Sequence, residues 1–308
     1  MGADVETAVS ALLRGELAIL PTETVYGLAC DAGDARAVAK VFEAKGRPQF
    51  NPLIAHVAGL DAALAIAELD ARAQRLAEAF WPGPLTLVAP VRDSAAVCEL
   101  ARAGLDTVAV RAPDHPIAQA VLQALGRPVA APSANRSGRP SPTTLADAVE
   151  ETGAFAAAAL DGGPCRVGLE STVLGQVEGQ LVLLRPGAVT REEIERVAGP
   201  LAVGLGEGHR SPGRLARHYA PSKPLRLDVA EPSPDAAYLG FGPGVAGGPL
   251  SFNLSPSGDL AEAAANLFAF LRAADRTGAK VIETAPIPHT GLGEAINDRL
   301  QRAAGYVG

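Results

Sequence analysis

PTETVYGL (21–28) and KGRPQFNPLIAH (45–56), joined by a helix-like segment at 34–44, decide how this chain is read. The apolar run LAILP at 17–21 predicts a buried strand, which delivers Thr22 and Thr24 to its end. Asp34 stands as N-cap of the helix, and Gly46 is placed to terminate it. Pro48 and Pro52 keep the following loop extended until a strand begins at LIAHV (53–57). Two polar loops thus face one another at the edge of a core. They carry hydroxyls, the Lys45 ammonium, the Arg47 guanidinium, the Asn51 amide and the His56 imidazole, with no acid between 45 and 56. Such a pocket suits an anion, because an arginine fork beside a lysine point charge matches a polyphosphate better than either cation alone. A solvated surface loop is the plainer reading of Lys45 and Arg47. Two prolines and an apolar flank make a stiffer frame than solvation requires.

Outward from this stretch, helices are expected at 5–13, 61–80, 116–125, 145–151 and 191–198. Strands are expected at 85–91, 107–113 and 128–135, and in AAAALDGG (156–163), STVLG (171–175) and QLVLLRPG (180–187). Helices alternate with strands early and strands follow strands late, which is the order of an α/β fold with a mixed sheet. From about 200 the sequence is rich in Gly and Pro without an apolar period and reads as a linker. A smaller α/β unit follows, with strands at 225–229, 237–241, 250–253 and 280–286 and helices at 259–274 and 292–304. The expected division is a first domain at 1–200, a linker at 201–222 and a second domain at 223–308.

A length of 308 residues fits two domains. The net charge of -7 argues against a broad nucleic-acid or anionic-membrane surface, which needs many cations to release counterions. Cys30, Cys98 and Cys165 are too widely spaced for a zinc site or a disulfide framework, so a reducing cytoplasm is expected. Acids stand where a leader would carry basic residues, and no apolar run reaches the roughly 18 residues of a membrane helix. GxxxxGK[ST], a GxGxxG that opens a helix after a strand, HExxH and GxSxG are all missing, which removes the common phosphate-loop, dinucleotide, metalloprotease and hydrolase classes.

Arg111 ends the apolar run TVAVR and must meet an anion, either an internal acid or a ligand carboxylate. PSANRSGRPSPTT (132–144) offers Ser133, Asn135, Ser137, Ser141, Arg136 and Arg139 without an acid, and its glycine and small hydroxyls let backbone donors approach phosphate or ribose. Ser141 or Thr143 would equally serve as a helix N-cap. EST (170–172) and LLRPG (183–187) again put polar groups at strand ends, or are turns. His115 precedes Pro116 and reads as a helix start, and Cys30 and Cys165 read as packing residues.

In this order PTETVYGL, KGRPQFNPLIAH, WPGPLTLV, VAVRAP, PSANRSG, LEST and LLRPG resemble the YrdC-type domain of the L-threonylcarbamoyl-AMP synthases over about 5–200. SPGRLARHYAP (211–221) and GLGEAINDRLQRAAG (291–305) resemble the linker and accessory domain of the family's two-domain form. The resemblance implies a twisted mixed YrdC-like sheet with flanking helices and a smaller Rossmann-like domain. It implies that L-threonine, bicarbonate and ATP give threonylcarbamoyl-adenylate and pyrophosphate, with Mg2+ accompanying ATP and no organic cofactor. The product would pass to a threonylcarbamoyl transferase machinery that modifies tRNA beside the anticodon, with a direct, double-stranded-RNA-type tRNA contact left open. Carried over by motif, Lys45 and Arg47 would be catalytic. ATP would meet these two and Asn51, Thr107, Ser133, Ser141, Arg185, His218 and Tyr219. Threonine would meet Thr24, His56, Arg111, the Ala131 backbone and Ser171. Arg217, His218 and Tyr219 would close as a lid over the nucleotide, although Arg214 replaces the Met frequent in that linker.

Two other readings share the fold. A carbamoyl-adenylate-forming enzyme of the hydrogenase-maturation type would bring zinc-finger cysteines and an acylphosphatase unit, and neither is in this sequence. A non-catalytic RNA-binding or ribosome-associated module would need a broad basic face.

Overall fold

The computed structural model describes residues 2–177, 179–202, 218–245 and 247–305. Arg214 and Arg217 lie outside the described residues. Strand β1 (Leu17–Leu20) and strand β2 (Gly27–Asp31) are buried at every residue and pair antiparallel. PTETVY is therefore the turn of a hairpin. The sequence reading contains no strand at 27–31, since Gly27 and Asp31 mask the short apolar core LAC between them.

Among the described residues these two strands belong to a nine-stranded sheet. Its remaining members are β3 (Ile54–His56), β4 (Leu85–Pro90), β5 (Thr107–Arg111), β6 (Val129–Ala130), β7 (Ala156–Ala159), β8 (Thr172–Val177) and β9 (Gln180–Arg185), in the order β7-β1-β2-β6-β3-β5-β4-β8-β9. The β1–β7, β3–β5 and β4–β8 pairs are parallel and the others antiparallel, so the sheet is mixed. Leu17 and Ile19 pack into one core with helix α2 (Ala35–Lys45), α3 (Leu60–Ile66) and α4 (Ala71–Phe80). Ala18 and Leu20 point the other way, into a second core with α1 (Gly2–Leu13) and α5 (Pro116–Leu125). Burial on both faces explains why β1 is a continuous apolar run.

Local chemistry sets the helix ends. The Asp34 carboxylate accepts from the Arg36 N–H at 2.8 Å, and Gly46 closes α2 in the left-handed region at φ 58°. The helix expected at 61–80 is two helices, because Asp70 caps α4 by accepting from the Ala73 N–H at 2.8 Å while Ala67 bridges to Val91. Thr144 caps α6 (Leu145–Thr152), not Ser141 or Thr143. His115 caps α5 through its ring nitrogen, accepting from the Ile117 N–H at 3.2 Å. Helix α7 (Arg191–Ala198) starts with a Thr190–Glu193 capping box and is tied to α4 by the Arg72 guanidinium, which donates to the Ala198 carbonyl at 2.6 Å.

The second sheet runs β10-β13-β11-β12, from β10 (Leu225–Arg226), β11 (Ala236–Gly240), β12 (Ser251–Asn253) and β13 (Val281–Thr284), with every pair parallel. Leu239 and Ile282 pack there against Leu267 and Phe268 of α8 (Leu260–Asp275) and Ile296 of α9 (Leu292–Ala304), a Rossmann-like arrangement. Val25, Leu169 and Tyr219 join this core, so the two units share a seam. Buried Arg272 of α8 donates across it to Glu151 of α6 at 3.1 Å and to the Pro140 carbonyl.

Candidate active site

A cavity opens where the C-terminal ends of β3 and β5, the turn after β1 and the start of β8 converge on the seam. Ten of the side chains singled out in the sequence line it: Thr24, Arg47, His56, Arg111, Ala131, Ser133, Ser171, Arg185, His218 and Tyr219. Antiparallel and parallel register puts His56 beside both Val129 and Arg111, which is how distant motifs meet.

Its amino-acid-sized end is built around Arg111. This buried guanidinium donates through Nε to the Gly83 carbonyl at 3.2 Å, through Nη1 to Thr24 Oγ1 at 3.0 Å and through Nη2 to Glu23 Oε1 at 2.6 Å. The question left even by the sequence thus resolves to an internal acid, Glu23, and a carboxylate ligand would use the two N–H groups still available on Nη1 and Nη2. Thr22 donates to the Val25 carbonyl at 2.6 Å, so Thr24 must be the donor of its 2.8 Å contact with Thr22. Burial, with Arg111 next to it, holds His56 neutral by lowering its pKa to about 3.

The other end is cationic. Lys45 closes α2 pointing inward and donates to the carbonyls of Ser133 and Asn135, beneath the cavity wall and not on it. Burial and then Arg47 push its pKa well down. Arg47 folds back on its own loop, donating to the carbonyls of Asn51 at 3.3 Å and Pro52 at 3.1 Å. Asn51 lies behind the wall, and its side-chain oxygen is buried without a partner among the described residues. Arg185 donates to the Ser171 carbonyl at 2.8 Å and to Ser171 Oγ at 3.2 Å, and Ser171 Oγ lies 2.7 Å from Thr86 Oγ1. His218 is pushed well below its ordinary pKa by burial and then by Arg47, Lys45, Arg299 and Arg185. Tyr219 adopts φ 63°, rare for a residue with a side chain, and the neighbouring Ala220 N–H donates to the Gly138 carbonyl at 2.7 Å.

Besides Lys45 and Asn51, two further expected residues sit off the cavity. Ser141 is fully buried and donates to Glu170 Oε1 at 2.5 Å, so it braces the wall. Thr107 lies apart from the cavity. It begins β5 opposite Pro90, four residues and roughly 13 Å along the strand from Arg111, and lines a separate cleft with Glu68, Asp70 and Leu181. Glu23, Glu170 and Arg299 are site residues that sequence reasoning missed. The first two were visible as the only acids inside PTETVYGL and LEST. Among the described residues no group of three His, Cys, Asp or Glu side chains is placed to hold a metal.

A family model described as "Telomere recombination" (Sua5, YciO and YrdC) matches residues 10–187. The chain belongs to this Sua5/YciO/YrdC family. A second model, described as "Threonylcarbamoyl-AMP synthase, C-terminal domain", matches 189–305 and adds the two-domain Sua5 architecture. The threonylcarbamoyl-AMP synthase of Pyrococcus abyssi is 41% identical over 98% of this chain and 94% of its own length. That of Bacillus subtilis is 40% identical over 96% and 92%. The crystal structure of P. abyssi Sua5 complexed with L-threonine is 40% identical, covers 98% of this chain and 94% of its own, and superposes with a TM-score of 0.89. The Sua5-type fold, a mixed catalytic sheet followed by a smaller α/β unit, is thereby established for this chain.

Proposed function

We propose that this protein is an L-threonylcarbamoyl-AMP synthase acting in tRNA threonylcarbamoyladenosine modification. The observation that carries the reading is a single buried cavity with a neutral His56, Thr24 and Arg111 at one end and Arg47, Ser133, Arg185 and His218 at the other, in a chain similar throughout to a protein solved with L-threonine. Thr24, His56, Arg111, Ala131 and Ser171 orient threonine. Arg111 takes its carboxylate, with Glu23 keeping the empty site neutral. Arg47, Ser133, Arg185 and the Lys45-braced loop hold ATP. Asn51, behind the wall, supports the Arg47 loop that meets the phosphates.

The threonine amine takes up bicarbonate as a carbamate with loss of water. A carbamate oxygen then attacks the α-phosphorus, and pyrophosphate leaves with the electron pair of the broken P–O bond. The protein supplies position and charge, and no covalent intermediate with the chain is needed. Mg2+ comes with ATP as part of the substrate. The cavity wall is cationic and its acid Glu170 is already engaged, so the ion would be held by phosphate oxygens. The residues at 1–200 do the chemistry, His218 and Tyr219 cover it and 223–305 brace it. The adenylate then passes to a threonylcarbamoyl transferase. No helix among the described residues is long and apolar enough to cross a membrane.

Pyrophosphate release from ATP should require both L-threonine and bicarbonate. A rate unchanged on omitting threonine would remove the proposal. The buried His218–Tyr219 pair acts as the lid that keeps water from the adenylate. Tyr219→Ala should raise the ratio of AMP to threonylcarbamoyl-adenylate released, and an unchanged ratio would dispose of the lid.

A further inference from the structure

Arg299 lies on α9 of the second unit, yet only 1% of it is exposed and its contacts belong to the cavity of the first. Its Nε donates to Glu170 Oε2 at 2.9 Å, while the other oxygen of that carboxylate accepts from Ser141 Oγ at 2.5 Å. Nη1 donates to the neighbouring Asp298 at 2.6 Å, and the guanidinium carbon stands 5.2 Å from the centre of the Tyr219 ring. Nη2 is buried and has no acceptor among the described residues. Glu170 itself lines the cavity, immediately before Ser171, which Arg185 clamps.

A carboxylate facing a polyanion repels it unless a cation holds it paired and turned away. Arg299 holds Glu170 paired through its Nε–H, and Ser141 takes the second oxygen. We propose that Arg299 is a positioning residue of the nucleotide half of this site, acting through Glu170 on Ser141 and the 133–141 loop. This rests on the synthase reading. It makes the second unit a working part of the ATP site and not an independent module.

The test compares Arg299→Met, Arg299→Lys, Glu170→Gln and the Arg299→Met/Glu170→Gln double variant of the full chain by ATP titration calorimetry and by steady-state pyrophosphate release. Loss of a charged hydrogen-bond partner predicts about 10- to 100-fold weaker ATP binding for Arg299→Met, with the KM for threonine within about twofold of wild type. Arg299→Lys should be intermediate, because it restores the charge without the fork. The double variant should be no worse than Arg299→Met, since both changes cut one chain of contacts.

Wild-type ATP affinity in Arg299→Met, equal losses for ATP and threonine, or losses that multiply in the double variant would each overturn the proposal. If Arg299→Met does not fold, Arg299→Lys and Glu170→Gln are judged by the same two readings. A wild-type protein that binds ATP but shows no threonine-dependent turnover would refute the synthase reading, while the ATP titrations still decide the role of Arg299.

Discussion

His56 is an imidazole held neutral, and that has a measurable consequence. Its folded pKa of about 3 lies below the unfolded value of 6.5, so between these values the unfolded chain binds a proton that the folded chain refuses. Stability is full above pH 6.5 and falls as the pH is lowered toward 3, by an amount on the order of 3–5 kcal/mol for this one group. His218 is shifted in the same direction. The melting temperature should therefore drop steadily from pH 6.5 to pH 4, and His56→Gln should remove part of that slope. A His56→Gln slope equal to wild type would show that the ring is not held neutral.

At this scale the cations were readable in the sequence. Lys45, Arg47 and Arg185 stand beside Pro, Gly and apolar runs, and burying a charge requires such a frame. Their counter-acids were not readable: nothing local to Glu23 says that it meets a residue 88 positions away.

Among the elements, the end of β9 shows how closely the site is built. A Cβ on Gly187 would lie 2.4 Å from the Thr172 N atom and 2.5 Å from the Glu170 carbonyl oxygen. The turn after β9 thus lies on the backbone of the EST segment, and only hydrogen fits between them. Gly187→Ala should displace Ser171 and cut threonine-dependent pyrophosphate release by about tenfold or more, as expected when positioning slips by about 1 Å. Gly179→Ala, in the open turn between β8 and β9, should leave turnover alone. Equal activity of the two variants would count against the steric argument.

Helices α5 and α7 have the limits their sequence predicts, since proline, glycine and threonine punctuate them. Strand β6 is two residues long where 128–135 suggested eight. The apolar stretch PVAAP continues past the sheet to carry Ser133 to the cavity, and hydropathy cannot distinguish strand from buried loop.

Across the whole molecule, Gly168 lies directly against α8 of the second unit. It has φ 71°, and a Cβ there would lie 2.5 Å from the Ala265 Cα and 2.7 Å from the Ala264 carbonyl oxygen, both backbone atoms of α8. Gly168→Ala should wedge the seam, lower the melting temperature by several degrees for a loss of about 1–3 kcal/mol, and weaken ATP binding in the same direction as Arg299→Met. Unchanged ATP binding with a lowered melting temperature would mean that the seam supports the fold but not the site. The sequence showed two units and the composition break between them. It did not show that they share a core, because Val25 and Leu169 read as ordinary apolar residues until α8 and α9 are placed against them.

The pairing of Glu170 with Arg299 joins positions 129 apart in the chain. On the ribosome, at about 5–20 residues per second, the acid is synthesised roughly 6–26 s before its cation. A nascent chain that has already folded its first sheet therefore still lacks the charge that turns Glu170 away from the triphosphate. That pairing can form only once helix α9 has been made.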